Sequence, residues 1–206
     1  TICPGHTRKE YPLHTYFMSG LNERFELVDD VVYALLDAYP EVLTKQCLPI
    51  METPLHIICR CEIEYDGVDE PLITYILEKN PAAAAIKDSK GRYPLHSLML
   101  TDPVETVDTA RPIYEAHREA MSTPDNDGNY PLHLALDRPR CDCDDTMGFL
   151  FAEYPQAAAI RNNDNMAPVA IRVKREGESD DTRIMMMVRD SADLNKAYSD
   201  YGLDDR

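Results

Sequence analysis

Four copies of the tripeptide Pro-Leu-His recur along the chain at nearly constant intervals, and this repetition constrains the fold more than any other feature. The copies begin at Pro12, Pro54, Pro94 and Pro131, and a decayed fifth copy, Pro-Val-Ala-Ile, begins at Pro168. The intervals between these prolines are 42, 40, 37 and 37 residues, and such a period is typical of repeat proteins. We therefore predict one row of stacked units, each of which buries its apolar face against its neighbours.

Each unit is predicted to contain a tight turn, a short first helix and a second helix. Segments rich in Asp, Asn and Gly, such as residues 125–129, precede the later copies and favour turns because these residues tolerate positive φ. The motif proline suits the first position of a helix, where no N–H is needed. Apolar residues at helical spacing then predict second helices, which end near Pro40, Pro81 and Pro155. The third unit has no such proline, so we expect its second helix to continue to Met121.

These features together resemble the ankyrin repeat. The family's Thr-Pro-Leu-His signature stands complete at residues 53–56, and the Pro-Leu-His-Leu-Ala of residues 131–135 is nearly as close. The resemblance implies an all-α, ankyrin-like solenoid of about five helix-loop-helix repeats joined by short hairpin turns. The units are longer than is usual in the family, and Tyr11, Tyr93 and Tyr130 stand where the family has a capping threonine.

We interpret the chain as a single repeat domain over residues 1–206. The approximate repeats are 9–46, 47–87, 88–124, 125–161 and 162–190, followed by a C-terminal tail at 191–206.

The motif residues are expected to be structural. Packed helices lie about 8–10 Å apart, so equivalent histidines in successive units are too distant to share a metal ion with bonds of about 2 Å. We expect each imidazole to bond turn backbone and to tie neighbouring units together. The structural residues are Pro12, His14, Pro54, His56, Pro94, His96, Pro131 and His133.

The chain is strongly acidic, with a formal net charge of −16 at pH 7. Proteins that bind nucleic acid neutralise phosphates with Lys and Arg, so we exclude a nucleic-acid partner. We expect other proteins with a basic surface, because complementary potentials speed encounter and select partners. No apolar run approaches the roughly 20 residues that span a bilayer, so no direct membrane insertion is expected. The oligomeric state is left open.

Many acidic residues fall between the two helices of a unit, for example in residues 62–70 and 176–181. Equivalent loops align in a stack, and an acidic edge of this kind would suit a basic partner. The alternative is that these acids favour helix N-termini and keep the surface solvated.

Six cysteines are too few and too scattered for a disulfide-framed domain. We expect free thiols in an intracellular, reducing compartment: the cytoplasm, or an organelle interior if a leader was removed before Thr1. The pairs Cys59/Cys61 and Cys141/Cys143 lie a whole unit apart, whereas structural zinc needs four ligands together, so we expect no metal and no cofactor. A redox or metal-binding protein that uses these pairs is the alternative function, and an acidic calcium buffer is a third.

The chain has no Gly-rich phosphate loop, nucleophile elbow or His-Glu-x-x-His motif, so we expect no enzyme. Ankyrin repeats bind proteins with their hairpin tips and the groove side of the first helices, and the resemblance implies a non-catalytic scaffold, either a free adaptor or a subunit of a larger complex. The contact residues carried over by motif position are Arg60, Leu100, Thr101, Asp137, Arg138 and Lys174 on the first helices, with Lys90, Arg92, Asn126 and Asn129 on the hairpins.

Overall fold

The computed structural model describes residue 14 and residues 29–60, 72–100, 107–138 and 144–176. These ranges hold eight α-helices and, apart from a single bridge between Cys47 and Glu52, no extended pairing. The all-α prediction is therefore confirmed for the part of the chain that is described. None of these helices is long and apolar enough to cross a bilayer. The helices are α1 (Asp29–Ala38), α2 (Pro54–Arg60), α3 (Leu72–Lys79), α4 (Pro94–Leu98), α5 (Val107–Ala116), α6 (Pro131–Leu136), α7 (Asp144–Glu153) and α8 (Pro168–Glu176).

The first helices of the units are short and begin at the motif prolines. Proline is suited to this position because its fixed φ is already helical and its missing N–H would have no partner in the helix. Every residue of α4 and α6 is buried, as is every residue of α2 except Arg60. These helices therefore lie inside the molecule, and of their residues only Arg60 at the end of α2 is partly exposed.

Each second helix is followed, after one residue, by a 3₁₀ turn of five residues. The intervening residue has φ between −140° and −154° and ψ between 62° and 87° in all four cases. The turns are Pro40–Thr44, Pro81–Ala85, Arg118–Ser122 and Pro155–Ala159.

The prediction that the third unit's second helix continues to Met121 is wrong, because α5 ends at Ala116. The break occurs without a proline at this point. Ala120 and Met121 of the turn are buried, as the equivalent alanines of the other turns are. Packing of this apolar pair into the core therefore accounts for the end of α5, and in the first unit the equivalent residues are half-buried Val42 and buried Leu43.

Helices of the same kind contact one another in chain order. Helix α2 contacts α4, α4 contacts α6, and α6 contacts α8, while α3 contacts α5 and α5 contacts α7. Within a unit, α2 packs on α3, α4 on α5 and α6 on α7. The leucine after each motif proline is buried between the two layers, at Leu55, Leu95 and Leu132. One continuous apolar core thus runs along the described units.

Candidate functional site

A hairpin turn precedes each first helix from α2 onwards. In each turn the backbone N–H of the first residue donates to the carbonyl oxygen of the last, at 2.9–3.0 Å. In the last three turns Oδ1 of the first residue, which is Asp88, Asp125 or Asn162, accepts two further backbone N–H groups at 2.8–3.1 Å. The side chains that predicted turns thus hold these turns closed. The four turns span residues 47–52, 88–92, 125–129 and 162–166.

Successive hairpins are hydrogen-bonded to one another. In each case the backbone N–H of the second residue in a hairpin donates to a carbonyl oxygen at the tip of the preceding hairpin. The bonds run from Ser89 to Ile50 at 2.8 Å, from Asn126 to Lys90 at 2.9 Å and from Asn163 to Asp127 at 3.0 Å. The four tips therefore lie side by side in chain order.

Glycine is required where the next hairpin approaches. A Cβ atom on Gly91 would lie 2.3 Å from Oδ1 of Asn126, and one on Gly128 would lie 2.7 Å from Oδ1 of Asn163. Both glycines also have positive φ, 74° and 80°. The two asparagine amides donate in turn to carbonyl oxygens of the preceding hairpin, at 3.2 Å to Ser89 and 3.0 Å to Asn126. Each Gly and Asn pair forms a close contact that fixes the spacing of the tips.

Each motif histidine joins its helix to the base of the hairpin that follows. Nδ1 of His56, His96 and His133 accepts the backbone N–H of the residue before the motif proline, at 3.2, 3.3 and 3.2 Å. Because Nδ1 accepts, Nε2 carries the proton and donates it to a backbone carbonyl oxygen. The acceptors are Arg92 for His56 at 3.0 Å, Thr123 for His96 at 3.0 Å and Ile160 for His133 at 3.1 Å. Nε2 of His14 makes the equivalent bond to Lys45 at 3.0 Å.

Burial keeps these imidazoles neutral. Loss of hydration lowers the pKa of His56 and His133 to about 4 and that of His96 to about 3, although the carbonyl bonds oppose the shift. The pKa of His14 is lowered for the same reason. A neutral ring whose two nitrogens both bond backbone has no lone pair to offer a metal ion and no proton to exchange at neutral pH.

The predicted hairpin residues differ in exposure. Lys90 and Asn126 are exposed at the tips, and Asn129 is half-buried, where its Oδ1 accepts the amide of Asn162 at 2.8 Å. Arg92 is buried instead, because its guanidinium donates to Oδ2 of Asp88 from Nε at 2.8 Å and from Nη2 at 2.6 Å. Burial opposes the charge on Asp88, but the bonds from Arg92 hold the pKa of this carboxyl below its usual value.

The predicted residues at the ends of the first helices also differ in exposure and in their contacts. Arg60 is half-buried and pairs with Oε2 of buried Glu52 at 3.2 Å. Burial raises the pKa of Glu52, and Arg60 limits this rise. Leu100 is half-buried against the core. Arg138 is half-buried, and its backbone carbonyl accepts a bond from Nη1 of Arg172 in α8. Of the other residues named from the sequence, Asp137 and Lys174 are exposed. The motif prolines Pro54, Pro94 and Pro131 are buried, and Thr101 and Pro12 lie outside the described residues.

A cleft of about 400 Å³ opens between α6, α8 and the hairpin at residues 162–166, and we call it the α6–α8 cleft. It brings together three of the predicted contact residues, Asn129, Asp137 and Lys174, with the structural residue His133. Its buried and half-buried lining combines apolar side chains with polar ones, those of Leu134, Met166 and Ile171 and those of His133, Asn129 and Asn162. Exposed charged side chains form its mouth, those of Asp137, Asp164 and Lys174. Ile171 belongs to the decayed motif copy that begins at Pro168, whereas Asp164 and Met166 lie before it, and only their position relative to Pro168 could have pointed to them.

The alternative function, a redox or metal-binding protein that uses the cysteine pairs, has little support in the described ranges. Cys59 is buried within α2, and Cys61, Cys141 and Cys143 lie outside those ranges. No group of three or more His, Cys, Asp or Glu side chains in the described ranges could hold a metal ion. Most of the acidic segments between the two helices of a unit also fall outside the described residues.

No protein-family model and no curated protein sequence matches this chain.

Proposed function

We propose that the chain is an ankyrin-like solenoid of stacked repeats that serves as a non-catalytic scaffold for other proteins, either as a free adaptor or as a subunit of a larger complex. The observation that carries the proposal is the hydrogen-bonded row of hairpins, in which Ser89, Asn126 and Asn163 each donate to the preceding turn. First helices that contact one another in the same order support it. A row of this kind leaves a long flank on which a partner can lie.

The two sides of the row offer different chemistry to a partner. On the side of the second helices, polar groups pair within the chain: Tyr75 donates to Oδ1 of Asp37 at 2.8 Å, and Tyr114 donates to Oε2 of Glu153 at 2.6 Å. Exposed charged groups lie on the second helices, at Glu78 and Glu115 for example, and also on the tips and on the ends of α6 and α8. We name these tips and helix ends the flank, and we infer that the partner binds there.

The chemistry of the motif supports a binding role rather than a catalytic one. His56, His96 and His133 use both ring nitrogens for backbone bonds, and their lowered pKa keeps them uncharged at neutral pH. The negative net charge of −16 favours a partner with a basic surface. Such a partner is recruited faster at low salt, because the Debye length shortens from about 30 Å at 0.01 M to about 10 Å at 0.1 M.

The test reverses charge on the flank. Asp127→Lys and Asp137→Lys together change two exposed flank residues, one on a hairpin tip and one at the end of α6. Glu78→Lys and Glu115→Lys make the matched control, with the same change in net charge on exposed positions of α3 and α5. Each protein is immobilised, exposed to native extract, and the captured proteins are quantified by mass spectrometry.

We expect the flank variant to lose a defined set of basic proteins that the wild-type chain and the control variant both retain. Circular dichroism and thermal melting verify that all three proteins are folded. Equal capture by the flank variant and the wild type would remove the flank as the binding surface. Inert thiols and no bound metal in the purified protein are expected as well, and a stoichiometric metal would favour the cysteine alternative.

A further inference from the structure

The row of hairpins ends, at residues 162–166, with a pair of unfilled acceptors. In the two preceding junctions, the carbonyl oxygens of the second and third hairpin residues accept the side-chain amide and the backbone N–H of the next asparagine, at 2.9–3.2 Å. The equivalent carbonyl oxygens of the last hairpin belong to Asn163 and Asp164, and no described residue donates to either of them. Both residues are exposed. The last hairpin therefore offers to solvent the edge that joins hairpins inside the chain, and we call it the open edge.

The residue in the left-handed position decides which side chain can dock on a hairpin. Gly91 and Gly128 hold this position where an asparagine docks, and a Cβ atom there would lie 2.3 or 2.7 Å from the asparagine Oδ1. In the junction between hairpins 47–52 and 88–92 the position is held by Met51, at φ 60°. The residue that docks there is Ser89, which has no amide group. The chain thus pairs a glycine with an asparagine, and a residue that has a side chain with a smaller one.

The last hairpin belongs to the second kind. Its left-handed residue is Asn165, at φ 62°. The backbone N–H of Asn165 donates to the first hairpin residue at 2.9 Å, as the glycine N–H does in the two preceding hairpins. Because Asn165 has a Cβ atom, an asparagine cannot dock on the open edge as it does on the earlier hairpins. A turn with a small second residue can dock, since Ser89 does so beside Met51.

The open edge consists of backbone carbonyl oxygens, so its occupant must supply a donor. A phosphate group offers only acceptors. A second copy of the chain is also disfavoured, because the backbone N–H groups of Ser89, Asn126 and Asn163 are already used within the chain. The equivalent residue of the first described hairpin is Leu48, which has a large side chain. A turn of another protein, with a free N–H on a small second residue, meets both requirements.

We propose that the open edge binds a tight turn of the partner protein, which becomes the next member of the row. The second residue of this turn is Ser, Ala or Gly, and its backbone N–H donates to the carbonyl oxygen of Asp164. Backbone bonding positions the turn, as in other recognition by added backbone pairing, and Asn165 selects the side chain. This inference rests on the proposed scaffold function and names the kind of partner segment that the end of the flank recognises.

The experiment titrates the full-length, isotope-labelled chain with cyclic peptides and follows its amide signals by NMR. The first peptide has the sequence of residues 87–93, Lys-Asp-Ser-Lys-Gly-Arg-Tyr, closed head to tail. The second carries N-methylserine, which removes the donor N–H, and the third carries asparagine in place of the serine. Each peptide is titrated into the wild type, into Asn165→Gly and into the control Gln156→Gly, which changes an exposed residue outside the hairpins. Asn165→Gly retains the hairpin, because glycine adopts positive φ without strain.

We expect the serine peptide to bind the wild type and to shift the amide signal of Asn165 most, because this amide shares a peptide group with the carbonyl of Asp164. N-methylation should weaken binding about five- to tenfold, the loss of one hydrogen bond. The asparagine peptide should bind the wild type at least about fivefold more weakly than the serine peptide does, and Asn165→Gly should remove this difference. Gln156→Gly should reproduce the wild type with all three peptides.

No binding of the serine peptide, unchanged binding after N-methylation, or equal binding of the serine and asparagine peptides to the wild type would each overturn the assignment. Signal shifts centred elsewhere in the chain would do the same. If another segment of this chain already covers the open edge, no peptide binds and the proposal is overturned as well. These outcomes leave the scaffold proposal standing if the flank variant still loses captured proteins. If the flank variant loses none, the scaffold proposal fails separately.

Discussion

The neutral histidines that bond hairpin backbone should make the fold sensitive to mild acid. Protonation would place a second proton on Nδ1, which faces the backbone N–H of the residue before the motif proline. Loss of hydration by burial, which disfavours the charged ring, makes the pKa of each ring lower in the folded chain than in the unfolded chain, where it returns to 6.5. The unfolded chain binds more protons below pH 6.5, so stability is complete above this pH and falls as the pH drops toward about 4.

The size of the effect follows from the shifts at His56, His96 and His133. At pH 5 the unfolded rings are charged and the folded ones are not, which costs about 2 kcal/mol for each histidine and about 6 kcal/mol for the three. Glu52 and Asp125 act in the opposite sense, because burial raises the pKa of both carboxyls in the folded chain. A loss of several kcal/mol remains, which is comparable with the whole stability of a typical domain, about 5–15 kcal/mol.

The assay is urea unfolding, followed by circular dichroism at a series of pH values from 7.5 to 5. Between pH 6 and 5 we expect the unfolding free energy to fall by up to about 4 kcal/mol, since three protons are taken up on unfolding. His133→Gln removes one of these protons, so the slope in the variant should be smaller by about one third. A flat profile over this range, or assigned imidazole NMR signals of His56, His96 or His133 that titrate near 6.5 in the folded protein, would refute the reasoning.

Two further comparisons test the hairpins, each with a matched substitution. Gly91→Ala should destabilise the fold by at least about 1 kcal/mol, because φ of Gly91 is positive and the new Cβ atom would clash with the next hairpin. Gly148→Ala should instead stabilise α7 by about 0.5–1 kcal/mol, because the new Cβ atom would have no other atom within 4 Å. Thermal melts that move together for both variants would contradict this. Arg92→Ala should cost about 3 kcal/mol, because it leaves the buried carboxylate of Asp88 without its guanidinium partner. Lys79→Ala breaks an exposed ion pair with Asp37 and should change the stability much less. Equal losses of stability in chemical denaturation would contradict this assignment.

The sequence allowed the helices to be predicted where a local signal marks them. The motif prolines define the starts of α2, α4 and α6, because proline acts through its own backbone. The end of α5 could not be read in this way, since no proline marks it. There Ala120 and Met121 pack into the core, and a tertiary contact decides where the helix stops.

The tyrosines that replace the capping threonine show a second limit of local reasoning. The Tyr93 ring lies 4.6 Å from the His117 ring, and the Tyr130 ring lies 5.9 Å from the Tyr154 ring. Each tyrosine thus packs against the residue that separates the second helix from its closing turn. The loss of a capping hydroxyl is offset by an aromatic contact within the unit, which the sequence shows only once the two positions are known to meet.

The candidate contact residues were the hardest to predict. Motif position identified Asp137 and Lys174 in the α6–α8 cleft, because equivalent positions in a repeat face the same way. It also selected Arg92, which is buried by its pairing with Asp88. The charge of a residue and its position in a motif do not reveal whether it forms an ion pair with a neighbouring side chain. Which hairpin residues are exposed could therefore be learned only from the structure.

The most direct test of the stacked row is a set of distances between equivalent tip residues. Spin labels on non-natural side chains at Lys90, Asp127 and Asp164 can be measured in pairs by electron–electron double resonance and by line broadening. A row predicts about 10 Å for each adjacent pair and about 20 Å for the outer pair, since packed helices are about 8–10 Å apart. An outer pair no more distant than the adjacent pairs would show that the tips cluster, and it would contradict the continuous flank on which the proposed function depends.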